Sequence, residues 1–375
     1  MKKWLAMLGF VAVLTQSTVA WRSTGWVYVD YPWAYDGASG DWYWFNTPDV
    51  QWVAHMGNGQ WARLENSALH SGWSYFGWPY AYAQSNGAWH YINPDTQWCV
   101  NMDTSEWSLW GAPTIPSGMA PIPGGTNSGT DPSFGAYSLT VDSFLMDRCE
   151  VNKALWDEVH VWATTNGFTF DNDGNGKVAS HPVSVVSWYD ATKWCNARSQ
   201  KDGYDPVYYS DVAFTLPYKT GQVLNPYIKT NATGYRLPTV EEWQYAARGG
   251  AVGHRFPWAD SDTISHDQAN FNNTGDDAYA TGTLGYHPTY IDSSEPYTSP
   301  VGSFSANGYD LYDMAGNVWE WCWDWHPSQV GTNRVSQGGA WKNPGRSCRI
   351  GYSNYTAPSN AVYFTGFRTV RQQNP

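Results

Sequence analysis

An internal repeat is the strongest constraint on what this chain can fold into. "GWVYVDYPWAY" at 25 to 35 returns as "GWSYFGWPYAY" at 72 to 82, so that Gly25, Trp26, Tyr28, Pro32 and Tyr35 meet Gly72, Trp73, Tyr75, Pro79 and Tyr82 at one offset of 47. Trp42 and Asn46 meet Trp89 and Asn93 at that offset, and after one deletion Trp52 and Trp61 meet Trp98 and Trp107. Two copies of one unit must therefore lie side by side in the chain. Alternating aromatic runs such as "DWYWF" and "AWHYI", divided by Gly, Asn, Asp and Ser, predict short strands and tight turns, and so a small stacked all-β module over 21–112. Such repeats have few aliphatic residues to bury. Their Trp and Tyr side chains are expected to form the module's own core, and the competing reading is a sugar-stacking face.

The 375 residues allow two domains and a sizeable core. Residues 1–20 read as an export signal: Lys2 and Lys3, an apolar run from Trp4 to Leu14, and the small-residue end "STVA". After its removal the chain is expected outside the cytoplasm, secreted, periplasmic or at the cell surface. No later stretch has the uninterrupted apolar length of a membrane-spanning helix. Lys plus Arg number 21 against 33 Asp plus Glu, a net charge of −12, and losing Lys2 and Lys3 takes it to −14. That balance argues against nucleic acid or an anionic membrane as partner and suits cations or neutral ligands. Five cysteines, at 99, 149, 195, 322 and 348, are an odd number for an exported chain, and their spacing matches no zinc pattern.

A Pro/Gly/Ser/Thr-rich stretch from 111 to 133 marks the domain junction, with the linker at 113–118 and a second domain over 119–373. Helices are predicted over 151–167, on an apolar face at 151, 155, 159 and 162, and over 186–200 and 239–250. The last carries a capping box from Thr239 to Glu242 and a closing Gly249. Short strands between long loops make the class α+β. "DNDGNG" at 171–176 begins like a calcium loop, but its twelfth position is Pro182, so a polar turn is expected. In "NGYDLYDMAGNVWEWCWDWH" (307–326), Gly316 and Asn317 form a turn. Beyond it Trp319, Trp321, Trp323 and Trp325 alternate with Glu320, Cys322 and Asp324, a strand with one aromatic face. Asp313 and Glu320 flank the turn, and hard oxygen ligands around a sharp turn suit calcium.

"GYRLPTVEEWQYAARGG" (234–250), "FPWADS" (256–261), "SPVGSFSANGYDLYDMAGNVWEWCWDW" (299–325) and "GGAWKNPGRSCRIGY…GFRTVR" (338–371) together resemble the formylglycine-generating-enzyme, or sulfatase-modifying-factor, family. The resemblance runs over roughly 119–373 and implies a loop-rich relative of the C-type lectin fold. It implies a calcium loop with Asp313 and Glu320 as side-chain ligands and Gly316 and Val318 as carbonyl ligands. A second calcium site would begin at Asn270 and the carbonyl of Phe271, with Asp292 in the acidic partner's place. Catalytic members bind copper(I) with two cysteines after the "GG" pair and oxidise a cysteine in a CxPxR sulfatase sequence. Counted from Gly338 and Gly339, the second cysteine is Cys348 and the first is Asn343; the serine after "GG" is Ala340. One thiolate cannot make a linear bis-thiolate site, so the resemblance implies a member without the copper chemistry. Cys195 matches half of a family disulfide whose mate would stand at Thr369, which leaves it a buried thiol. For Cys348, a disulfide with Cys322 or another thiol stands beside catalysis. The sulfoxide-synthase branch, with iron held by histidines of an added helical domain, has no counterpart among the nine histidines.

Three functions are thus expected. The first is an exported, calcium-stabilised member that binds a peptide or glycan in a groove around Trp319, Asn343, Cys348 and Arg349. In it the aromatic repeats, which loosely resemble hairpins of cell-wall-binding modules, would contact a surface polysaccharide. The alternative is a formylglycine-generating oxidase working with Cys348 and a displaced thiol, and the third another enzyme of this fold.

Overall fold

The computed structural model describes residues 116–292 and 294–372 in full, and ten strands between Gly25 and Leu109 by their backbone. The expected export signal, the core or stacking role of the repeats' aromatic side chains, and most of the linker lie outside the described residues. The chain divides into two compact units, Met1–Thr114 and Ile115–Pro375.

In the first unit each repeat supplies five consecutive antiparallel strands of one ten-stranded sheet. The repeats meet first strand to first strand, Gly25–Asp30 against Gly72–Gly77, and their last strands, Trp61–Arg63 and Trp107–Leu109, are the two edges. Trp26 pairs with Tyr75 and Tyr28 with Trp73. Because 26 and 73, and 28 and 75, are equivalent at the offset of 47, the backbone has an internal two-fold centred on Val27 and Ser74. A single open sheet replaces the stacked arrangement expected, since the repeats extend one another's hydrogen-bond ladder instead of packing face to face.

The second unit is mixed and loop-rich. One four-stranded sheet runs in the order Met119–Ile122, Phe144–Asp147, Val370–Gln372, Tyr235–Arg236, so the first and last strands of the unit are neighbours or next neighbours. A second orders Asn354–Thr356, Arg334–Gln337, Trp319–Trp325 and Thr365–Gly366. The junction read from composition is partly strand: Met119–Ile122 and Gly125–Asp131 lie within 111–133, because Pro121 sits on an edge strand and the glycines serve a ribbon with Gly135–Val141.

Helix α1 (Lys153–Thr165) starts at Asn152, whose side chain caps Leu155 N, and buries Trp156, Val159 and Ala163. Its buried stripe is turned from the expected one: Leu155 and Trp162 are only half-buried, and Val151 is buried ahead of the helix. Trp156 is chosen instead because it stacks on Trp194 of α2 (Trp188–Lys201), centroids 5.9 Å apart, with Phe367 edge-on to both. Helix α3 (Val240–Ala247) has the capping box, Thr239 Oγ1 receiving Glu242 N and Glu242 receiving Thr239 N. "DNDGNG" is a polar turn tied to α2, with Asp171 N and Asn172 Nδ2 both donating to Asp190. Gly174 at φ 68° lies where a Cβ would be 2.6 Å from the Trp156 ring.

The Trp319–Trp325 strand departs from a one-faced pattern. Trp319, Glu320, Trp321 and Cys322 are all buried, because a sheet neighbour lies on either side and α2 and α3 cover its faces. A carboxylate on this strand therefore has to find its partners inside the protein.

Candidate functional site

Around the Asp313–Glu320 turn the chain takes conformations that few residues tolerate. Asp313 and Asn317 have φ of 56° and 60°, and Gly316 has 87°. A Cβ on Gly316 would stand 2.3 Å from the carbonyl oxygen of Asn270, and that oxygen accepts Asn317 N at 2.8 Å. The two segments read as separate ion sites thus lock onto each other through the backbone.

Glu320 is fully buried. Its Oε2 accepts Trp243 Nε1 at 2.6 Å and Arg368 Nε at 2.7 Å, and its Oε1 accepts Arg368 Nη2 at 2.7 Å. Arg368 also donates to the carbonyls of Asp147, Arg148 and Tyr312. Asp313 Oδ2 accepts Gly302 N, while its Oδ1 is buried without a partner. Glu150, 3% exposed, has neither carboxylate oxygen satisfied. Burial and the neighbouring Asp313 and Glu320 raise the Glu150 pKa well above the usual carboxylate range, and burial lifts Asp313 to about 6. Beside them burial, then Glu150, pushes the Cys149 thiol up to about 12. Three buried carboxylates thus share one guanidinium. The orphaned oxygens of Glu150 and Asp313 are what a divalent cation would satisfy, whereas Glu320, with both oxygens on Arg368 and Trp243, is not free to join them. A cavity of about 350 Å³ bordered by Trp258, Asp260, Asp267 and Asn307 opens onto Asp313.

This geometry differs from the sequence expectation in three ways. Glu320 gives its oxygens first to Arg368 and Trp243. Glu150 was missed, because in "FLMDRCEV" it is one of three charged residues within four positions and nothing local marks it as buried. Among the described residues no three His, Cys, Asp or Glu side chains are gathered closely enough to coordinate one ion alone. Backbone oxygens such as those of Gly316 and Val318 would have to complete the shell.

The second candidate set is not drawn together in the same way. Asn270 Nδ2 donates to Tyr297 O at 2.8 Å, and the carbonyl of Phe271 faces His266 Nε2 at 3.1 Å. Asp292 is exposed and paired with Lys177, which removes it as the acidic partner.

Cys348 ends a 3₁₀ turn, Gly345–Cys348, and is completely buried against Phe256, Ile264, Ala269, Phe271 and Ala315. Burial raises its thiol pKa far above the ordinary value. It is a free thiol, as are Cys149, Cys195 and Cys322, so the Cys322–Cys348 pairing is not formed. Asn343 accepts Trp319 Nε1 through Oδ1 at 2.9 Å. Trp319 lies 6.1 Å from Tyr352, and Arg349 packs on Tyr352, Phe134 and Tyr279 at 5.7, 4.6 and 6.0 Å from their centroids. Arg349 thus lies at the surface among Phe134, Tyr279 and Tyr352, whereas Trp319, 3% exposed, is held by Asn343 inside the protein and does not line an open groove with it, and Cys348 does not reach solvent. One apolar, protonated thiol beside an amide already spent on Trp319 does not fit copper(I).

The sulfatase-modifying factor enzyme 1-like domain family matches residues 112–373. The chain belongs to that family. This sulfatase-modifying-factor domain is 32% identical over 276 residues to the chaperone protein LppX of Paenibacillus barcinonensis, covering 72% of this chain and 94% of that one. It is 35% identical over 163 residues to a formylglycine-generating enzyme of Thermomonospora curvata, covering 36% of this chain and 48% of the relative. The crystal structure of CarF superposes with a TM-score of 0.55 at 27% identity, over 69% of this chain and all of CarF. The fold is thus the loop-rich, lectin-like one that the sequence resemblance implies.

Proposed function

We propose that this sulfatase-modifying-factor domain is an exported, calcium-stabilised binding protein, not a copper oxidase, and that its ligand is a polypeptide. The observation that carries the reading is the hydrogen bond from Trp319 to Asn343: the position a copper thiolate would need is spent on holding a buried indole in one orientation. A rigid surface of Phe134, Tyr279 and Tyr352 around Arg349 loses little conformational freedom on binding, which favours an extended ligand laid across it. The relative named as a chaperone supports a polypeptide over a glycan. Calcium, held by Glu150 and Asp313 with the turn carbonyls of Gly316 and Val318, would supply charge neutralisation and no chemistry. The leader at 1–20 supports export, and the paired repeats support attachment to a cell-surface polysaccharide.

The test is to incubate the mature chain, loaded with copper(I) under oxygen, with a CxPxR peptide and read both binding and peptide mass. Binding with unchanged mass is expected. Formylglycine in the peptide, at a rate comparable to a working family member, would replace this reading with that of an oxidase.

A further inference from the structure

Resting on the polypeptide-binding reading, we infer that the surface of Phe134, Tyr279 and Tyr352 selects for a carboxylate on its ligand, and that Arg349 is the residue that reads it. Among the described residues Arg334, Arg349 and Arg371 are the arginines without a carboxylate oxygen within 4.0 Å. Arg334 and Arg371 are buried, 1% and 4% exposed, against the rings of Trp325 and Tyr204. Arg349 is only half-buried, so its charge remains within reach of a ligand.

An unpaired arginine is unusual in a chain with net charge −12. The acids nearby are already taken: Asp262 by Arg255 at 3.6 Å and Asp277 by Arg346 at 3.5 Å. Arg349 is nevertheless held firmly. Its Nε donates to Arg346 O at 2.7 Å, and its guanidinium packs among Phe134, Tyr279 and Tyr352. Phe134 is itself set in place, since it lies against Gly351, where a Cβ would be 2.6 Å from the ring, and its N–H is tied to Asp131. The two Nη groups make no hydrogen bond among the described residues, which leaves the planar fork free for a bidentate acceptor. An uncommitted guanidinium fork on an aromatic surface, beside acids already paired to other arginines, matches an anionic and not a cationic ligand group. A peptide can offer that group as an Asp or Glu side chain or as its C-terminus.

Four pools of aromatic-containing peptides of equal length separate the possibilities, titrated against the full mature chain by fluorescence anisotropy. They are Asp/Glu-bearing with amidated ends, free C-terminal carboxylate without Asp or Glu, neutral amidated, and Lys/Arg-bearing amidated. At least one carboxylate pool should bind about tenfold tighter than the neutral pool, as expected for a charge-assisted bidentate contact, and which one does so identifies the source. Arg349→Gln should abolish that preference while leaving neutral-pool binding in place, and Arg349→Lys should recover only part of it. Neutral peptides binding as tightly as carboxylate peptides, or a preference that survives in Arg349→Gln or fully in Arg349→Lys, would overturn the role of Arg349 and leave polypeptide binding standing. Failure of every pool to bind would remove the polypeptide reading itself, and this inference with it.

Discussion

Glu150 and Asp313 show how much a single residue's protonation can depend on what lies beside it. Asp313 carries a carboxyl raised from 3.8 to about 6, with burial as the main cause. A raised carboxyl binds its proton more tightly in the folded state. The metal-free protein should therefore be most stable with respect to this group below about pH 4 and lose that stability as pH rises through 6, at a rate approaching about 1.4 kcal/mol per pH unit between those two limits. Melting curves in a chelator should show Tm falling between about pH 4.5 and 7. With calcium present the fall should be reversed, by about 2.7 kcal/mol at a hundred times the dissociation constant. Glu150→Gln should flatten both responses, and a chelator series in which Tm instead rises towards neutral pH would contradict the burial of these charges.

At the scale of elements, turns position this site and helices brace it. Gly316 is required both by its φ of 87° and by the 2.3 Å that a Cβ would leave to the carbonyl of Asn270. Gly316→Ala should cost several kcal/mol, because the neighbour is backbone and cannot swing aside. Thr239→Ala removes the capping box of α3, a helix whose Trp243 also holds Glu320, and should cost about 1 kcal/mol. Denaturant melts of the two variants compare a close backbone approach with a cap; equal losses would mean that the turn can relax. The helices were legible because caps and apolar periodicity are local properties. The stripe of α1 was not, since Leu155 and Trp156 are equally apolar and only the stack on Trp194 decides between them.

Over the whole molecule, the second unit is closed by its own ends. Val370–Gln372 lies between Phe144–Asp147 and Tyr235–Arg236, and Arg368 just before it reaches Glu320. Deleting residues 368–375 should leave a chain without cooperative unfolding or near-ultraviolet dichroism, because it strands Glu320 without its guanidinium and opens the sheet. A truncated chain that still melts cooperatively would mean that this closure is dispensable. The amino-acid sequence by itself determined the repeat, the order of elements, the turn at Gly316 and Asn317, and the family, since each is written in neighbouring residues or in a fixed offset. Only the tertiary structure decided that Glu320 serves Arg368 and Trp243, that Glu150 joins Asp313, that Asp292 turns to Lys177, and that Cys348 is sealed from solvent while Arg349 is not. The reason is physical: a side chain's charge state and availability depend on desolvation and on partners as far as 222 residues away, as between the Asp147 carboxylate and Thr369, and no local pattern records either.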